Sequence, residues 1–339
     1  MKKVIFALAA VVALAACSNE QTVNVPQGAA IGFDTFVGKA TRVDDPSLNN
    51  TNLANFAVYG AVTNDDTALI FDAVEVSKTK VNGDLVGPWK YEGTQYWING
   101  ATYNFAAVAP ASCGKKGAFS KDSFKTTLAF TNDAVTDLLY AQHAPIIGTK
   151  GNGDAAGTAN EAVDFTFRHV LSKVKFSFEN QYNASGSSIV VRNIVLTNPH
   201  KTATATLDAT TTEWENLATA NDFAIEFGNA AVAAVDAEET IAQGSELESY
   251  NARFIIPATE YTYNVTFDVD IVYGTTVVET YEHEAELTFT PVAGTSYDIK
   301  TIIKASNIDP EESQEPIEFT VTTVNEWNNP ATDKEAEII

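Results

Sequence analysis

From Tyr261 to Tyr273 every second residue is apolar and most are large: Tyr261, Tyr263, Val265, Phe267, Val269, Ile271 and Tyr273. A period of two places all seven on one face of an extended chain, the pattern of a strand with one buried side. Gly274-Thr275 turns that strand into a second extended run, Val277 to Thr290. Shorter stretches carry further strand signals. In the first half these are Phe56 to Val62, Ala68 to Val76, Trp89 to Tyr91, Ala101 to Ala109, Phe124 to Phe130 and Ala162 to Val170. In the second half they are Val174 to Phe178, Ile189 to Thr197, Ala203 to Leu207, Arg253 to Ala258, Tyr297 to Lys304 and Ile317 to Trp327. Helical periodicity is almost absent, and Thr131 to Gln142 has room for one short helix. Gly148 to Asn160 reads as a surface loop, Ala218 to Gly244 as a loop or edge region, and Asn307 to Pro316 as an acidic linker. Many short strands in two runs imply an all-β chain of two tandem β-sandwich domains, 43–171 and 172–339.

The first residues have a different pattern. Lys2 and Lys3 precede an apolar run from Val4 to Leu14, too short to span a bilayer as a stable helix. The run closes on Leu14-Ala15-Ala16-Cys17, which resembles a bacterial lipobox. Residues 1–16 therefore read as a lipoprotein signal peptide, with Cys17 as the lipidated residue and a membrane anchor without a spanning helix. Losing Lys2 and Lys3 with the signal moves the net charge from −23 by two units, to −25. Such a charge argues against nucleic acid as a partner. Cys113 is then the one free cysteine, so no intrachain disulfide supports the fold.

Between these regions, Ile31, Phe33, Thr35 and Val37 alternate as a strand, and the stretch ends in Lys39-Ala-Thr-Arg42. Lys39 and Arg42 are the only basic residues between Val4 and Ser77. This is either an ordinary first strand with a solvated loop, or a strand built to be cut away, leaving an empty groove. Residues 17–42 form the tether and the removable strand on the second reading. At the other end Ile317, Phe319, Val321 and Thr323 alternate in the same way, with Trp327 beyond them. That strand either completes its own domain or is donated to the sheet edge of another molecule.

No catalytic or metal constellation emerges. His143, His169, His200 and His283 share no ligand spacing. Strand alternation sets Glu282, Glu284 and Glu286 on one face and His283 on the other. His169 lies on an apolar face, as a core histidine does. There is no G-x-S-x-G, P-loop, H-E-x-x-H or C-x-x-C. The expectation is no enzyme, no metal and no cofactor. Trp89, Trp97, Trp214 and Trp327 with the tyrosines either stack on sugars or fill sandwich cores.

Taken in order, several segments carry a family likeness: the lipobox at Cys17, Thr41-Arg42, Phe56-Ala-Val-Tyr59-Gly60, and Tyr96-Trp97 with Tyr103-Asn-Phe105-Ala. Pro145-Ile-Ile, Phe165-Thr-Phe167-Arg-His169-Val-Leu171-Ser-Lys-Val and Glu326-Trp327-Asn328 follow. The chain resembles the fimbrillin (Mfa-like, FimA-like) proteins of Bacteroidetes, subunits of type V pili. The resemblance implies transthyretin-like sandwich domains, export to the outer membrane as a lipoprotein, and cleavage by a trypsin-like protease after a basic residue. Here that residue is Arg42, with Lys39 second. Asp44 and Asp45, just beyond the bond, are unfavourable neighbours for such an enzyme. The resemblance further implies polymerisation with other fimbrillin subunits into a cell-surface fimbrium by strand exchange, in support of adhesion. The alternative is a surface lipoprotein that keeps its lipid, as a tip adhesin, an anchor subunit or a binder of glycan or host protein.

Overall fold

The computed structural model describes residues 29–37, 47–149, 161–182, 184–230, 241–242, 246–249, 251–308, 315–324 and 327. Its strands in the first half are β1 (Phe33–Val37), β2 (Asn55–Thr63), β3 (Thr67–Val81), β4 (Asp84–Lys90) and β5 (Thr102–Ala109). β6 (Gly117–Phe119), β7 (Thr126–Thr131), β8 (Leu139–Ile147) and β9 (Val163–His169) follow. The second half begins with β10 (Ser172–Asn180), β11 (Ser187–Leu196), β12 (His200–Leu207), β13 (Thr212–Thr219) and β14 (Ile225–Gly228). It continues with β15 (Ile241–Ala242), β16 (Glu246–Glu248), β17 (Arg253–Ile255), β18 (Tyr261–Tyr273), β19 (Thr276–Phe289), β20 (Ser296–Ile303) and β21 (Phe319–Val324). Helix is confined, among the described residues, to two single turns, α1 (Ala111–Gly114) and α2 (Ala305–Ile308).

The strands form two sandwiches. A seven-stranded sheet, β1-β9-β8-β5-β2-β3-β4, packs one face against a four-stranded sheet, β13-β12-β7-β6. Tyr59, Val108, Leu128, Phe130, Tyr140 and Leu207 fill that layer. In the second sandwich the sheet β16-β10-β20-β21 with β17 faces the sheet β14-β11-β18-β19 with β15. Phe176, Phe178, Phe227, Val265, Phe267 and Ile299 lie between them. The β12–β13 hairpin comes from the second half of the chain, yet β12 pairs with β7 of the first. The two halves are therefore tied across residue 171.

Alternation explains most of these elements. The residues of β18 that share a period, from Tyr263 to Ile271, are buried. β19 turns Leu287 and Phe289 inward and Glu282, Glu284 and Glu286 to solvent. The turn between β3 and β4 is Asn82-Gly83, with φ of 53° and 101°. Both positions need the left-handed region, which asparagine and glycine supply at small cost. Gly60 is required for another reason: a Cβ there would come within 2.9 Å of the rings of Phe71 and Phe105.

Two sequence readings need correction. Thr131 to Gln142 holds no helix; its second part belongs to β8, paired along β5. Leu139, Tyr140 and Ala141 are all buried because β8 carries core on both faces, so no alternation marks it. Asn307 and Ile308 are buried in α2 and are not part of a solvated linker. The region 218–244, read as loop or edge, contributes among its described residues β14 and β15, each paired with β11 alone at an edge of the second sandwich, while residues 150–160 of the expected loop lie outside the described residues.

One buried charge gives a prediction. Asp270 is almost fully buried on β18 and is gripped by Arg192 through Nε at 2.7 Å and Nη2 at 2.8 Å, with the Thr280 hydroxyl at 2.7 Å. Burial pushes its carboxyl up, but the Thr280 hydroxyl and the Arg192 guanidinium outweigh burial and hold it below the ordinary aspartate range. A depressed carboxylate stabilises the fold above the unfolded-state pKa of about 3.9 and loses that contribution as pH falls through its folded value. Arg192→Ala is expected to cost about 2–4 kcal/mol at pH 7, and the deficit is expected to shrink at about pH 3. Urea unfolding of both proteins at the two pH values checks this.

Candidate functional site

β1 lies at one edge of the seven-stranded sheet, and that sheet curls until β1 meets the far end of its own ladder. On one side β1 runs parallel to β9, with Phe33 opposite Val163 and Val37 opposite Phe167. On the other side the residues leading into β1 bond to the segment after β4. The Ile31 N–H donates to the Gln95 carbonyl at 2.8 Å, and the Trp97 N–H donates to the Ala29 carbonyl at 3.1 Å. The Tyr91 hydroxyl donates to the Ile31 carbonyl at 2.8 Å. The Val37 N–H at the other end donates to Asn50 Oδ1 at 2.6 Å. β1 thus fills a slot with walls on both sides, as the seam of a partly closed barrel.

Its side chains plug that slot. Ile31, Phe33 and Val37 are 1%, 6% and 0% exposed, whereas Thr35 is only half-buried. Phe33 sits among five rings: Phe56, Phe71, Tyr91, Phe105 and Phe165, with centroids 5.4–6.5 Å away. Burial of three such side chains contributes about 5–9 kcal/mol gross. Phe33→Ala is expected to destabilise the intact chain by about 3–5 kcal/mol, since the surrounding rings cannot collapse into the void; thermal or urea unfolding measures it. Lys39, Arg42 and Cys17 lie outside the described residues.

The terminal strand is held much less deeply. β21 pairs antiparallel with β20 alone, at the edge of its sheet. Ile317 is buried, Phe319 and Val321 are half-buried, and Thr323 is exposed. Phe319 meets two rings, Phe176 at 5.8 Å and Phe267 at 6.3 Å. The chain's own β21 therefore completes the second sandwich, but on an edge.

Trp327 is anchored elsewhere, at the junction of the two sandwiches. It is buried, stacked on His169 at 4.2 Å and on Phe254 at 5.8 Å. Its Nε1–H donates to Ser47 Oγ at 2.9 Å, and Lys173 Nζ lies 4.9 Å from the centre of its ring. His169 Nδ1 is 2.8 Å from Asp137, which also accepts a hydrogen bond from the Leu48 N–H at 2.8 Å. The residues that follow the candidate cut and the residue that follows β21 thus meet at one buried site. No sequence signal points to this meeting, because it joins positions 280 residues apart.

Other candidates resolve simply. Trp97 and Trp327 are buried, and Trp89 and Trp214 are half-buried against the cores, so the tryptophans fill the sandwiches. His283 stacks on Phe267 at 5.3 Å, away from the acidic face. Burial lowers the pKa of His283 and that of His200. Burial also pushes the Cys113 thiol up, away from a reactive thiolate. Among the described residues no three His, Cys, Asp or Glu side chains converge as a metal site requires, and no helix is long and apolar enough to cross a membrane.

A family model described as fimbrillin-like matches residues 41–327. No curated protein sequence matches the chain. Among solved structures, a fimbrial protein from Bacteroides vulgatus is similar over 88% of this chain and 99% of its own, with 16% identity and a TM-score of 0.52. A candidate cell adhesion protein from Bacteroides uniformis is similar over 88% of this chain and 98% of its own, with 16% identity and a TM-score of 0.47. At that identity the first of these carries the shared fold.

Proposed function

The chain belongs to the fimbrillin-like family, a family of structural fimbrial proteins and not of enzymes, and from that premise we propose that it is a pilus subunit assembled by proteolysis-triggered strand exchange. The precursor is exported as a lipoprotein and held at the outer membrane by lipid on Cys17. A trypsin-like protease cuts after Arg42, or after Lys39, and β1 leaves with the lipid. The terminal strand of another subunit, bearing Ile317, Phe319, Val321 and Thr323, enters the vacated place. Host protein or glycan is the target of the finished fibre.

One observation carries the reading: β1 is a plug with few backbone ties to the rest of the chain. It is short, it is paired through a single parallel ladder and a few bonds to residues 95–97, and it fills an aromatic pocket that the rest of the sheet forms around it. Both candidate basic residues follow within five positions of Val37. Removal of β1 would leave an apolar groove lined with unpaired backbone, a template for an added strand. β21 has the complementary property: it is only half-buried at home, on an edge.

Limited trypsin treatment of the purified precursor tests this. The expected result is a cut after Arg42, release of the N-terminal peptide, and growth of fibres visible by electron microscopy. Cut protein that sheds β1 yet stays monomeric at high concentration would overturn the reading.

A further inference from the structure

The strand leaving and the strand arriving carry the same pattern. β1 and its approach read Ile31-x-Phe33-x-Thr35-x-Val37, and the terminal strand reads Ile317-x-Phe319-x-Val321-x-Thr323. Resting on the reading above, we propose that the incoming strand of a second copy runs in the direction of β1, parallel to β9. In its register Phe319 takes the place of Phe33, opposite Val163.

The pocket discriminates between registers and between directions. Its deepest position is that of Phe33, ringed by five aromatic side chains. In the proposed register Ile317 replaces Ile31, phenylalanine replaces phenylalanine, and Val321 and Thr323 replace Thr35 and Val37. The reversed strand over the same span would put Val321 in the five-ring pocket and leave a void there. It would also put Thr323 at the fully buried place of Ile31 and Phe319 at the half-buried place of Thr35. A shift by two residues in either direction also takes phenylalanine out of the pocket. A reversed strand shifted to keep Phe319 in the pocket puts Glu315 at the fully buried place of Val37, and since such voids and an unpaired buried carboxylate are both costly, one alignment is preferred. Two pairs are unlike: Val321 takes the half-buried place of Thr35, and Thr323 takes the place of buried Val37 beside Asn50, whose side chain is already a hydrogen-bonding partner at that end of the groove.

The exchange also improves the environment of Phe319. At home it meets two rings on an open edge; in the groove it meets five, with wall on both sides. Trp327 fits the same register. With Thr323 opposite Phe167, a strand continuing four residues further carries its Trp327 past the end of β9, where this chain's Trp327 now stacks on His169. The slot that one subunit's Trp327 leaves is therefore within reach of the next subunit's.

Engineered disulfides read the register directly. Thr166, Thr322 and Ala162 are all exposed, so cysteine at each leaves the cores intact. Thr166 lies opposite Phe36, the position that Thr322 takes in the proposed alignment. In the intact chain Thr322 lies opposite Asp298 on β20 instead. In fibres sheared from cells making the full chain with Cys113→Ser, the pair T166C/T322C is expected to give a ladder of cross-linked subunits on non-reducing gels. The pair A162C/T322C reports the reversed strand and is expected to give none, since a disulfide forms only between closely apposed Cα atoms. A ladder from A162C/T322C overturns the proposal, as does a lack of ladder from both pairs in fibres of normal yield; either result leaves strand exchange standing. Absence of fibres from the parent chain removes strand exchange and this register together.

Discussion

Replacement of both Lys39 and Arg42 by alanine is expected to abolish fibre assembly while export and lipidation proceed normally. The reason is a competition for one groove. As long as the chain is continuous, β1 is tethered beside its own slot at an effective concentration in the millimolar range. A strand from another subunit, present at micromolar levels, faces a disadvantage of about a thousandfold before any difference in fit is counted. The tethered strand also makes a good fit, with Ile31, Phe33 and Val37 buried and Phe33 enclosed by aromatic rings. Cleavage changes the competition from intramolecular to intermolecular, and the released peptide is diluted away. Arg42→Ala alone is expected to lower assembly less, because Lys39 offers a second bond. Counting fibres by electron microscopy beside immunoblots of the surface lipoprotein checks both variants. Normal fibres from the double variant would sink the mechanism.

The second large effect concerns the incoming strand. Phe319→Asp is expected to leave export and cleavage intact and to prevent polymerisation. At home Phe319 is half-buried on an edge strand beside Phe176 and Phe267, where a carboxylate keeps access to water and costs less than in a closed groove. In the groove the same position is surrounded by Phe56, Phe71, Tyr91, Phe105 and Phe165, with no basic side chain among them. Burying an unpaired carboxylate there costs several kcal/mol. At tenfold in equilibrium constant per 1.4 kcal/mol, subunit association is expected to fall by at least about a hundredfold. Sedimentation of trypsin-treated protein separates the outcomes: soluble cleaved monomer is expected, and sedimenting polymer at the parent yield would contradict the assigned role of Phe319.

Much of this site is legible in the amino-acid sequence, because its parts are local. The alternation of Ile31, Phe33 and Val37 predicts a strand with one buried face, and the same period identifies the terminal strand and the outward glutamates of β19. What stays hidden depends on pairing between distant residues. β8 has core on both faces near Leu139 and solvent near Pro145, so it shows neither a strand period nor a helix period. The pairing of β12 with β7 unites strands that are more than sixty residues apart, and no local propensity encodes it. Asn82-Gly83 is different: it is a readable hairpin turn between β3 and β4, and it marks a strand pair longer than alternation alone suggests. The junction of Ser47, His169 and Trp327 needs the fold itself, since those residues meet only when both sandwiches are in place.

Removal of β1 is read out by the N-terminal residue of protein sheared from the cell surface. Fibre subunits are expected to begin at Val43, or at Ala40 if the cut follows Lys39. Surface material that begins throughout at a blocked, lipidated Cys17 would contradict that removal and leave a lipid-anchored adhesin or anchor subunit in which β1 never leaves its groove.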